Sequence, residues 1–109
     1  MKTSYVETDS YDSKDVPSAI LQQFILDCFL NHKIKLIRNW GSADDEDHLC
    51  YKDVTLLHFA TRSCNFQMLI RPKENRIHIA HHSKRGRKLY LYFVKKLAAM
   101  LTGDYKPNF

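Results

Sequence analysis

The run CNFQMLIRPKENRIHIAHH, from Cys64 to His82, decides how this chain folds. Phe66, Met68 and Ile70 alternate with Asn65 and Gln67, and Ile77 and Ile79 alternate with Arg76, His78 and His82. Alternation of period two marks a strand with one apolar and one polar side. The intervening residues 72–75, PKEN, are turn formers, and strands joined so closely pair antiparallel. One-sided alternation then means a sheet covered on one face and open on the other.

Working upstream, residues 49–61, LCYKDVTLLHFAT, read as a longer strand with a bulge near Asp53. Residues 33–40, KIKLIRNW, read as another, with Ile34, Leu36 and Trp40 on one side and Lys33, Lys35 and Asn39 on the other. Gly41 and Ser42 end it, and residues 43–48, ADDEDH, predict an acidic loop. Before these strands, Ile20, Leu21, Phe24, Ile25, Cys28 and Phe29 recur at helical spacing. The helix spans 17–31, with Pro17 at its start, Asp15 or Ser18 as cap, and Gln22, Gln23 and Asp27 outward. So few polar positions imply tight packing on the sheet, or a further contact with a partner.

Downstream, Leu89, Phe93, Leu97 and Met100 or Leu101 give a stripe for a helix over 85–102, stopped by Gly103. Lys95 and Lys96 face away, and Tyr105 or Phe109 of the tail is expected to pack back. Residues 1–15 are polar and read as a flexible arm, within which Tyr5, Val6 and Tyr11 offer a short edge strand. The arm is therefore expected to be dispensable for folding, with 16–109 as one compact domain.

The predicted fold is α+β in two layers, order αββββα: an antiparallel sheet of about four strands with two helices on one face. Its expected core is Phe24, Cys28, Leu36, Phe66, Met68, Ile77, Ile79, Phe93 and Leu97. Length and composition agree with one ordinary globular domain, at 109 residues, 44% hydrophobic and 27% charged. No apolar run approaches the roughly 18 residues of a membrane span, so no membrane partner is expected. Residues 1–16 contain no apolar run, and the three cysteines, Cys28, Cys50 and Cys64, are an odd set. Both features predict a reducing, cytoplasmic setting with the thiols as small apolar fillers.

Charge divides the chain. Residues 1–53 carry six Lys/Arg against ten Asp/Glu, and residues 54–109 carry eleven against two. Net charges of −4 and +9 follow, so one side is expected to face a polyanion or an acidic partner. The sharpest concentration is residues 83–88, SKRGRK, where the last helix begins. A helix N-terminus is already partly positive, and cations there cost roughly 0.3–1 kcal/mol each. The arrangement makes physical sense when an anion such as a phosphate docks, and Gly86 is expected to let a backbone approach closely. Lys84, Arg85, Arg87 and Lys88 are therefore the candidate nucleic-acid ligands, with Arg76 and His78 from the neighbouring strand. Arg62, Arg71, Lys73, Lys95 and Lys96 extend the field, and Tyr90 and Tyr92 supply aromatic faces.

This order of elements, with a Lys/Arg cluster opening the final helix, resembles double-stranded RNA-binding domains. In that family the lysines of the second helix grip phosphates across the groove, a role the resemblance assigns to Ser83–Lys88 here. The likeness covers about residues 17–102 in element order alone. The extra strand 33–40, the acidic loop and the aromatic-rich last helix depart from the family pattern.

No metal site, cofactor or catalytic set is expected. His78 and His82 are four residues apart, about 13 Å along a strand, and neither Cys-x-x-Cys nor His-Glu-x-x-His occurs. The run Asp44–Asp47 lacks calcium-loop spacing. Two alternatives to nucleic-acid binding stand. One is a protein-binding regulator or inhibitor, or a homodimer, using the apolar first helix, Trp40 and the other aromatics. The lower one is a metal-independent ribonuclease with His58, His78 or His82 as acid and base and Lys84 or Arg85 holding phosphate.

Overall fold

A computed structural model describes residues 9–41, 54–61 and 65–103. The elements are β1 (Asp9–Ser13), α1 (Ser18–Leu30), β2 (Lys35–Gly41), β3 (Val54–Thr61), β4 (Phe66–Arg71), β5 (Arg76–His81) and α2 (Lys84–Thr102). A single turn of 3₁₀ helix, Pro72–Glu74, links β4 to β5. All strand pairs are antiparallel, in the order β1-β5-β4-β3-β2.

This is the expected α+β fold with one more strand. Residues 9–13 lie in the polar arm, within which Tyr5, Val6 and Tyr11 offered a short edge strand; they form β1 and pair along β5 from Asp9↔His81 to Ser13↔Ile77. Only Tyr11 packs against the core from this strand. Two carboxylates hold it instead. Asp9 Oδ2 lies 2.9 Å from His81 Nε2, and Asp12 receives the Arg76 guanidinium. Asp9 and Asp12 are three apart, so they act on opposite faces of the sheet.

The helices cover one face. Phe24, Ile25 and Cys28 of α1 and Phe93 and Leu97 of α2 meet Phe59, Phe66, Met68, Ile77 and Ile79 in one buried cluster. Phe93 is its centre, stacked on Phe66 at 5.6 Å and edge-on to Phe24 at 6.1 Å. The Cys28 Sγ lies 3.9 Å from Met68 Sδ, and burial pushes its thiol pKa far up. Every residue of the expected core is buried except Leu36, which is partly so.

Four sequence expectations change. Neither Asp15 nor Ser18 caps α1; Pro17 occupies the cap position and no side chain bonds there. Asp27, expected outward, is buried, and its carboxylate lies 3.5 Å from Lys96 of α2. Lys96, expected to face away, is therefore an inter-helix partner. In β2 the register shifts between Leu36 and Arg38. Ile37 is the extra residue of a bulge, so Trp40 turns from the helix face to the open face, opposite Leu56. There it is 48% exposed, with the Arg38 guanidinium 5.6 Å over its ring. The acidic loop 43–48, the bulge near Asp53, Cys50, Cys64, Tyr5, Val6, Tyr105 and Phe109 lie outside the described residues.

Candidate functional site

The start of α2 is set by β5. His81 is buried, its Nδ1 2.9 Å from the Ser83 carbonyl oxygen and its Nε2 2.9 Å from Asp9 Oδ2. A ring whose two nitrogens both face oxygen acceptors donates to both only when protonated. Its plane packs on Tyr90 at 4.9 Å, where burial, and then the Asp9 charge, raises the phenol pKa. Ser83 then caps the helix, its Oγ accepting from the Gly86 backbone N–H at 3.1 Å. Gly86 is buried in the first turn of α2.

The four cations that follow are all exposed, but they do not share one face. Arg85 and Lys88 lie one turn apart and line a cleft of about 660 Å³ with Lys33, Asn31, Thr61, Leu89 and Tyr92. Lys33 enters from the turn after α1, where its backbone N–H donates to Asn31 Oδ1 at 2.8 Å. Tyr92 is one turn beyond Lys88, half exposed, with Lys96 Nζ 5.0 Å from its ring. Lys84 and Arg87 do not line the cleft. Arg87, two residues past Arg85, is rotated about 200° around the helix and points off the other flank.

Arg76 and His78 are elsewhere. They lie on β5 among the residues that alternate away from the helices, so the sheet separates them from the α2 cations. Arg76 Nη2 is 2.6 Å and Nε 3.0 Å from the Asp12 carboxylate, and His78 Nδ1 is 3.7 Å from it. The Arg76 hydrogen bonds hold the Asp12 carboxyl below its ordinary 3.8. The six candidate residues thus divide into a cleft pair, Arg85 and Lys88; two exposed cations off the cleft, Lys84 and Arg87; and two sheet residues facing Asp12.

The cleft carries three cations, an aromatic ring and the Asn31 amide, and none of its lining residues is acidic. That set suits an extended anion with a planar group beside it. Sequence reading missed Lys33, Thr61 and Tyr92 as one set. The helical spacing of Arg85, Lys88 and Tyr92 contains half of the signal, but only the packing of α1 against α2 and β2 brings Lys33 across. No helix among the described residues is long and apolar enough to cross a membrane. No family model, curated protein or solved structure matches the chain.

Proposed function

We propose that this chain binds the phosphate backbone of a nucleic acid in the cleft between α2 and the α1–β2 turn. Arg85, Lys88 and Lys33 take the phosphates, Tyr92 offers a stacking face, and Lys84 and Arg87 add positive charge from outside the cleft. The observation that carries this reading is the convergence of three cations from two separate elements on one cleft without a lining carboxylate. The unequal charge of the chain supports it, since Glu74 is the only acid between Val54 and Gly103. The test is anisotropy of labelled single-stranded and duplex probes at low salt, wild type against Arg85→Ala/Lys88→Ala. The double variant is expected to weaken binding to all sequences alike, and a wild type that binds neither probe ends the proposal.

A protein-binding role is the second reading. It is favoured by Phe29, Leu30, Ile37 and Trp40, four large apolar side chains that stand 40% or more exposed. It takes first place when no nucleic acid is bound, and sedimentation of the purified chain separates a homodimer from a surface kept for another protein.

A further inference from the structure

We infer that the Tyr92 ring receives an unpaired base at the wall of the cleft, with Lys96 and Asp27 as the positioning residues that hold the ring, so that the ligand is a single strand. This deepens the phosphate-backbone reading above and rests on it. Tyr92 lines the cleft beside Leu89 and is 47% exposed. Lys96 Nζ lies over its ring, 5.0 Å from the centroid. Lys88 and Leu89 stand one turn before Tyr92 on α2, and Lys96 stands one turn beyond it. The ring therefore lies between the Lys96 ammonium and the cleft cations.

A half-exposed tyrosine on a helix ordinarily moves among rotamers. This one is bounded on two sides. The fully buried Phe93 ring lies 5.0 Å from it and nearly perpendicular, at 86°. Lys96 is itself held from α1. Its side chain is 14% exposed, its ammonium is 3.5 Å from the buried Asp27 carboxylate, and Gln23 Nε2 donates to Asp27 Oδ1 at 3.3 Å. A buried ion pair is by itself a weak source of stability, because desolvation offsets its attraction. What this pair yields is an ammonium fixed over Tyr92, a contact that strengthens as the cation is desolvated.

A fixed aromatic ring beside phosphate-binding cations matches the two parts of a nucleotide. Lys88 and Tyr92 are about 6 Å apart along the helix axis, so a phosphate on Lys88 brings an attached base beside the ring. Leu89 adds apolar surface there, and no lining residue is acidic. Stacking on a side chain needs a base with an open face, which unpaired bases offer and the interior of a duplex does not. A ring already held in place loses little freedom on stacking, so more of the contact appears as affinity.

Anisotropy across a salt series compares three labelled probes: a short single strand, a strand of equal length with abasic residues, and the duplex. The proteins are wild type, Tyr92→Phe, Tyr92→Leu, Lys96→Gln and Tyr92→Leu/Lys96→Gln, each with its unfolding midpoint measured. Wild type is expected to bind the single strand about tenfold more tightly than the abasic strand, and to prefer it to the duplex. Tyr92→Leu replaces a half-exposed side chain, keeps the fold and loses that preference, with abasic affinity and salt slope unchanged. Tyr92→Phe retains it. Lys96→Gln keeps a donor for Asp27 but removes the charge over the ring; it lowers single-strand affinity severalfold without changing the slope, and adds nothing once Tyr92 is replaced. A Lys96→Gln variant that flattens the slope, or that changes only the unfolding midpoint, overturns the positioning role. A wild type that binds ordinary and abasic strands equally, or a Tyr92→Leu variant that binds as wild type does, overturns the base contact and leaves the phosphate reading standing. A wild type that binds no probe overturns both.

Discussion

Arg76 grips Asp12 across the β5–β1 pair, with Nε 3.0 Å from Oδ1 and Nη2 2.6 Å from Oδ2. The fork engages the guanidinium from within the sheet and ties β5 to the edge strand β1. Arg76→Ala is accordingly expected to leave nucleic-acid affinity within about twofold of wild type while lowering the unfolding midpoint. An affinity loss as large as that of Arg85→Ala/Lys88→Ala would place Arg76 back in the interface.

The same contact makes stability depend on pH. Asp12 has a folded pKa below its ordinary 3.8, first because of the Arg76 hydrogen bonds. A depressed carboxyl stabilises the fold above its unfolded value and loses that contribution as pH falls through the folded value. Asp12→Asn is expected to have a lower unfolding midpoint than wild type at neutral pH, with the gap closing as pH falls below the ordinary 3.8 and through the folded value. A gap that stays constant down the acid range would mean that the Asp12 charge contributes nothing.

Deleting residues 1–13 removes β1. Buried His81 then loses the Asp9 carboxylate, and the β5 edge opens. A buried polar group left unsatisfied costs about 1–3 kcal/mol, before the loss of Tyr11 packing. Chemical denaturation is expected to show a loss of at least ~2 kcal/mol. An unchanged midpoint would return residues 9–13 to the role of a dispensable arm.

In the cleft, each phosphate contact adds about 0.7–0.9 to the slope of log affinity against log salt. Arg85→Ala/Lys88→Ala should therefore reduce that slope by about 1.5. Arg87→Ala, off the cleft, should reduce it by less than either cleft residue alone.

Cys28 is expected to resist alkylation in the folded chain. It is buried, and burial raises its thiol pKa, which removes the reactive thiolate. Peptide mapping after iodoacetamide treatment should find Cys28 modified only once the protein is unfolded. Labelling under native conditions at the rate of a free thiol would contradict the packing against Met68.

Phe93→Ala is expected to cost about 3–5 kcal/mol, because the fully buried ring joins both helices to β4. Denaturant midpoints measure this. A cost under about 1 kcal/mol would show that Phe93 is not the centre of the core.

Much of this molecule was determined by sequence alone, because the signal is periodic and local. Phe66, Met68, Ile70, Ile77 and Ile79 alternate across two strands joined by a four-residue turn. That pattern dictates an antiparallel sheet with one covered face. Gly103, read from the sequence as the stop of α2, ends it with a left-handed φ of 85°. The positive charge of SKRGRK at that helix start needed no structure to be seen.

Tertiary structure decided what the cations face. Tyr11 is the one core residue of β1 and gave the sequence only a faint edge-strand signal; which strand it pairs with is set by Asp9 and Asp12 meeting His81 and Arg76 more than sixty residues later. One extra residue at Ile37 sends Trp40 to the opposite face, because strand side chains alternate with period two and any insertion inverts everything beyond it. Asp27 and Lys96 are each polar and unremarkable in sequence, and only the approach of α1 to α2 makes them partners. Lys33 joins Arg85 and Lys88 for the same reason. Distance along the chain carries no information about which charges converge; that is set by which apolar faces pack first, and the polar groups are brought along with them.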